Sequence, residues 1–218
     1  MSAGLKKILA EIDSSLTMLV VESDVREQPD ARAFGAAVEA AVLRRWPDLC
    51  ATWGVTPLRD AGRRTIYDAG FVDGGRQVGV DFRTKDLAEG RYSDGGICAV
   101  ANLLRWMVRN DAILVVTEFG YMIERGAARF AYVASAPIHS LPLDVYRIAN
   151  LGTGQVRIGR SIHASLEEID WDRSPAEFFA AFAPVCIEHY ERVRTDAAVR
   201  IAAIEAFVES EFTAISLT

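Results

Sequence analysis

The 218-residue sequence is poor in the residues that usually announce a metal centre, a nucleotide fingerprint or a membrane. Its three cysteines, Cys50, Cys98 and Cys186, are odd in number, widely spaced and form no CxxC pair. That argues against a disulfide framework and a zinc site, and predicts reduced thiols. The three histidines, His139, His163 and His189, are too scattered to suggest a site. No apolar run approaches the ~18–20 residues of a membrane span, and Leu16 to Val21 is too short. The N-terminus carries Lys6, Lys7, Glu11 and Asp13 and lacks a signal peptide's pattern, so the expectation is a cytoplasmic chain with no membrane partner. Asn150 to Gly159 contains a GxG but not the GxGxxG spacing, and no long amphipathic helix follows directly, which argues against a nucleotide-binding loop. There are no repeats, low-complexity tracts or linkers, so 1–218 reads as a single domain. Basic charge is also in deficit: the net charge of −6 argues mildly against a nucleic-acid partner. The arginines that are present cluster, however, as Arg59, Arg63 and Arg64, then Arg157 and Arg160, then Arg192, Arg194 and Arg200. A metal-dependent nuclease needs acids in its site and cations only where phosphates lie.

What is abundant is apolar side chain, 50% of the sequence, enough for a globular core. Leu5, Ile8, Leu9, Ile12, Leu16 and Leu19 keep helical spacing and predict a helix over about 4–20. Pro29-Asp30 starts a second helix to about Trp46, with Pro47 ending it. Mid-helix Glu39 reads by periodicity as a solvent-facing residue. An irregular arm over 51–64 ends in Arg63-Arg64. Ile97 to Met107 reads as a helix, and Ala112 to Phe119 and Phe130 to Ala134 as strands. Pro137, Pro142 and Tyr146 mark a looped passage. Pro175 opens a helix to about Val193, and Thr195 to about Glu209 supports another.

The most informative stretch is Thr65 to Lys85, TIYDAGFVDGGRQVGVDFRTK. Gly74-Gly75 supplies the positive-φ residues of a two-residue hairpin loop. That register sets Asp68 opposite Asp81, with Cβ atoms roughly 4.5–5.5 Å apart on one face. Alternation adds Arg83 and Lys85 to that face and turns Val80, Phe82 and Thr84 away. A solvated hairpin face would carry the same residues. Against that, opposed like charges destabilise a sheet unless something between them compensates, and a divalent cation on phosphate would do so.

The segment VGVDFRTKD, followed by a polar loop and DGG, resembles the active-site strand of EcoRV-type restriction endonucleases, of the PD-(D/E)xK superfamily. IGRSIHASLEEIDWDRSPAEFFAAF resembles the region after that family's DNA-recognition loop, and GTGQVRIG the loop itself. The resemblance covers roughly Arg32 to Arg192. It implies an α/β, restriction-endonuclease-like mixed β-sheet flanked by helices, in a homodimeric type II enzyme. Such an enzyme would use Mg²⁺ to cut double-stranded DNA at a short palindrome, leave blunt ends, and coexist with a cognate methyltransferase. Elements near 1–30 and parts of 135–150 would serve dimerisation. Carried over by position, Asp68 and Asp81 become metal ligands, with Glu39 and the Phe82 carbonyl beside them. Arg63 and Arg64 fall in a minor-groove loop. Gly152, Thr153, Gly154, Gln155, Val156 and Arg157 fall in the major-groove recognition loop, within 151–159. One departure matters: the family's catalytic lysine position holds Arg83, and the nearest lysine is Lys85. Arginine stabilises charge but cannot take a proton from water. Arg83 alone, or Lys85 reaching in, would fill that role; a catalytically inactive DNA-binding module of the same fold is the alternative.

Overall fold

The computed structural model describes residues 3–58, 66–88, 96–149 and 154–216. These form two compact units, 1–180 and 181–218. The first is a mixed α/β unit built on a six-stranded sheet with flanking helices.

Helix α1 (Ala3–Val21) forms where periodicity predicts it, and Leu5, Leu9, Ile12, Leu16 and Val20 are buried. Asp30 caps α2 (Ala31–Thr52), its carboxylate accepting the Ala33 amide at 2.8 Å. Pro47 does not end this helix. The buried stripe Phe34, Val38, Val42, Trp46 and Cys50 runs through it. Each full aliphatic or Phe burial contributes about 1.5–3 kcal/mol, so several such burials offset the ~3 kcal/mol penalty of one helical proline.

The sheet order is β1 (Glu27–Gln28), β6 (Ala127–Pro137), β5 (Ile113–Glu124), β4 (Arg76–Asp86), β3 (Ala69–Asp73) and β2 (Thr56–Pro57). All pairings are antiparallel except β4 with β5, which are joined through α3 (Val100–Asn110). The β3–β4 register is the one that Gly74 and Gly75 dictate, at φ +56° and +86°. The β5–β6 hairpin turns at Arg125 and Gly126, φ +52° and +85°, an Arg-Gly signal not recognised in the sequence. Val78, Val80 and Phe82 join Ile113, Val115 and Phe119 in one core cluster with α1 and α2. Phe82 meets Trp46 and Phe119 edge-on, at 5.8 and 6.1 Å. The opposite face carries Gly79, Asp81, Arg83 and Lys85, with the rings of Tyr67 and Trp106 over Gly79.

Two expected loops are strands. β7 (Tyr146–Ala149) and β8 (Gln155–Ile158) pair antiparallel as a separate ribbon. β8 also binds the chain ahead of α3: Ile97 donates to Val156 at 2.8 Å, Val156 to Cys98 at 2.9 Å, and Val100 to Gly154 at 3.0 Å. Those bonds hold Ile97–Ala99 extended, which is why α3 begins at Val100 and not at Ile97. After α4 (Ile162–Ser165), α5 (Pro175–Ser216) is continuous where two helices were expected, because nothing at 193–195 breaks the backbone ladder. In the second unit, every residue over 194–209 is exposed, including Ile201, Ile204, Phe207 and Val208.

Candidate active site

The hairpin places Asp68 and Asp81 at one end of the β3–β4 ladder, with an amendment to simple opposition. Regular pairing stops at Ala69 with Val80, and Asp68 lies one residue outside the strand. Its amide donates to the Val80 carbonyl at 3.0 Å, and its carboxylate accepts the Phe82 amide at 2.7 Å. The side chain thus replaces a backbone acceptor where the ladder ends. Asp81 is 2% exposed and both its oxygens are held by Arg83, two residues along the same strand. Arg83 is itself mostly buried, at 17% exposure.

The electrostatics tie three acids to one guanidinium. Burial pushes the Asp81 carboxyl up to about 7; Arg83 opposes that shift, while Asp68 and Glu39 add to it. Burial and then Asp68 raise Glu39, and Arg83 lowers it. Arg83 is raised overall, because Asp81 and Asp68 outweigh its own desolvation. Glu39 is exposed, as periodicity predicts, yet it lines a cleft of about 140 Å³ with Gly35, Val38, Phe82, Arg83 and Thr84. Asp68 lines a second cleft of about 320 Å³ beneath Trp46 and Pro47. Lys85 lies on the Asp81 face as alternation requires, but it is buried at 7% exposure, so it has little open surface from which to meet a phosphate or a second subunit.

Among the described residues no three His, Cys, Asp or Glu side chains gather as a ready metal site. The donor set is nevertheless all oxygen, the type a hard cation takes. Asp81 and Glu39 are raised chiefly by burial, with the neighbouring acids adding to the shift and Arg83 opposing it. Asp81 with Asp68 would fit Mg²⁺ once Arg83 releases Asp81. Glu39 stands near the pair electrostatically, and the Phe82 amide is already committed to Asp68.

Arg63, Arg64, Gly152 and Thr153 lie outside the described residues. Gly154 is at φ +65°, and Val156 is fully buried. Gln155 and Arg157 share the other face of β8. Gln155 lies over Gly96, where an added Cβ would come within 2.0 Å of its Cδ. Arg157 stands directly opposite Arg147 of β7, and its Nε is buried with no hydrogen-bond partner among the described residues. Opposed arginines repel, so this face favours an anion. Sequence reasoning missed Arg147, because its strand read as loop. It also missed Cys98, close enough for Asp81 and Arg83 to act on its thiol, and Glu118, an acid inside the apolar run ILVVTEFGY that burial statistics flag.

The chain matches no protein-family model and no curated protein.

Proposed function

We propose that this chain is an EcoRV-type, Mg²⁺-dependent type II restriction endonuclease, acting as a homodimer on a short palindromic site in duplex DNA and leaving blunt ends. The observation that carries the reading is the junction of two chemistries. The buried Asp81–Arg83 pair, with Asp68 beside it, adjoins Cys98, whose backbone is bonded to β8 next to Gln155 and Arg157. An acid cluster suited to a cation is thus linked, through the segment at Cys98, to a basic, amide-bearing ribbon suited to DNA. Gln155 and Arg157 match the bidentate edges of adenine and guanine, and Arg147 adds charge for phosphate. Asp68 and Asp81 would hold Mg²⁺, which would supply Lewis acidity toward the scissile phosphate. Arg83 stabilises negative charge developing on that phosphate and accepts no proton. A two-fold dimer matches a two-fold site. The exposed apolar side chains of the second unit are of the kind that self-association covers, whereas α1 spends its apolar face within the chain.

One observation favours a second reading, a DNA-binding module without chemistry: Arg83 closes both oxygens of Asp81. Incubating supercoiled plasmid with the protein and Mg²⁺ separates the two. Linear product with defined blunt ends, lost in Asp81→Asn, is the expected result. DNA binding with no Mg²⁺-dependent nicking would establish the module instead.

A further inference from the structure

Glu118 is a fully buried carboxylate for which the proposed reaction has no use. It lies on β5 in parallel register with Arg83 of β4, and side chains of registered partners project to one face. Its two oxygens differ sharply. Oε1 accepts three hydrogen bonds, from the Tyr132 hydroxyl at 2.8 Å, the Ser161 hydroxyl at 2.7 Å and the Ile162 amide at 3.1 Å. Oε2 is buried and has no hydrogen-bond partner among the described residues. A buried carboxylate oxygen with no donor is a standing desolvation cost that a cationic donor would relieve.

Arg83 is the cation placed to do so. Registered strands lie about 4.8 Å apart, whereas Asp81 and Arg83, two residues apart on one strand, are separated by about 6.6 Å along it. Arg83 therefore starts at least as close to Glu118 as to the carboxylate it now holds. A guanidinium fork can seat on either acid, which a point-like ammonium could not do with the same geometry.

We propose that Glu118 is a second seat for Arg83, and that transfer of the guanidinium from Asp81 to Glu118 Oε2 uncovers Asp81 for a divalent cation. This rests on the metal-binding reading of Asp81. In one arrangement Arg83 neutralises Asp81 and leaves Glu118 Oε2 without a donor among the described residues; in the other it neutralises Glu118, and the divalent cation takes its place beside Asp81 and Asp68. Glu118 is a positioning residue, acting only through Arg83. Its Oε1 bonds to Ser161 and Ile162 also tie it to the chain just after β8, the strand proposed to read DNA.

The test is Mg²⁺ binding to DNA-free protein by titration calorimetry. It compares wild type, Glu118→Gln, Arg83→Ala and the double variant, with Asp81→Asn as control. Glutamine keeps the shape and an Oε1 acceptor but loses the charge that seats a guanidinium. Glu118→Gln should raise the Mg²⁺ Kd about tenfold or more in the wild-type background and less than about twofold in the Arg83→Ala background. An equal loss in both backgrounds would make Glu118 merely structural, and an unchanged Kd in Glu118→Gln would also overturn the proposal. Should Glu118→Gln fail to fold, wild type gives an independent readout. The Arg83 Nε–H resonance, identified by its absence in Arg83→Ala, must move when Mg²⁺ is added; a static signal means that Arg83 never leaves Asp81. Mg²⁺ binding that is absent, or indifferent to Asp81→Asn, would remove the metal site itself, a result distinct from failure of the Glu118 seat alone.

Discussion

Arg83→Ala should destabilise the metal-free protein in a way that grows with pH, and the size follows from the burial of Asp81. In the fold this carboxyl is raised from 3.8 to about 7, chiefly by burial. A raised acid binds its proton more tightly in the folded state than in the unfolded one. Stability is therefore fullest at low pH, falls as pH rises from about 4 to 7, and levels off once folded Asp81 has ionised. The levelling depends on Arg83, the main influence holding the value down. Without it the folded pKa moves above 7, and the variant goes on losing about 1.4 kcal/mol per pH unit where wild type is flat. Above about pH 7 the gap between the two should widen by up to about 1.4 kcal/mol per pH unit until Asp81 ionises in the variant as well. Below about pH 6 Asp81 is largely protonated in both proteins, and only the hydrogen bonds of the pair are lost, on the order of 1 kcal/mol. Urea unfolding with metal chelated, at a series of pH values, measures this directly. Asp81→Asn in the Arg83→Ala background should abolish the widening. A gap that stays constant across the range, or a widening that survives Asp81→Asn, would refute the assignment of Asp81 as a buried acid kept ionised by Arg83.

Other expectations lie away from that pair. Asp13 is raised from 3.8 to about 6 by burial, against the opposing effect of its bond from the Ser135 amide at 3.2 Å, so wild type loses stability as pH rises from about 4 to 6. Asp13→Asn should be more stable than wild type by about 1–3 kcal/mol at pH ~8 and lose that advantage near pH ~4, as read from thermal unfolding. Gln155→Ala and Arg157→Ala should weaken binding to the cognate site far more than to random duplex in a titration at fixed salt; equal losses would reduce both residues to phosphate contacts. Ile204→Asp should shift sedimentation from dimer toward monomer without changing helical content, and an unaltered dimer would place the proposed self-association elsewhere.

The parts legible in the sequence were those fixed by local chemistry. Two glycines set the β3–β4 register, apolar spacing set α1, and alternation separated Asp81, Arg83 and Lys85 from Phe82. The parts that were not legible depend on partners distant in the chain. α2 passes through Pro47 because Trp46 and Cys50 are both buried in the core, and Trp46 donates to the Gly70 carbonyl at 2.9 Å. Ile97–Ala99 is drawn out of α3 by β8, more than fifty residues later in the chain. The glycines of 150–159 suggested a loop, but Gln155–Ile158 within that segment is strand, because β7 offers it a ladder. At the site, the acids could be named from the hairpin. Alternation put Arg83 on the face of Asp81 but did not show that it would hold both carboxylate oxygens, and the register of Glu118 could not be read, since it depends on how β4 and β5 are aligned.

That alignment also bears on what the acids are for. A structural ion pair is complete with one acid and one base, and adding acids nearby only raises its cost. Around Arg83 the fold gathers Asp81, Asp68 and Glu39, and sets Glu118 on the adjoining strand. Four carboxyl groups thus face one guanidinium, and Asp81 and Glu39 remain raised in its presence, chiefly through burial and secondarily through the neighbouring acids. Lys85 shares the face but stands opposite Gly120, a position beyond Glu118, and Tyr132 occupies the space above that glycine. A cluster with more carboxylates than its own cations can neutralise either protonates near neutral pH or takes up a cation from outside. The proposed nuclease requires the second outcome. The pH series on Arg83→Ala measures how strongly the first competes with it.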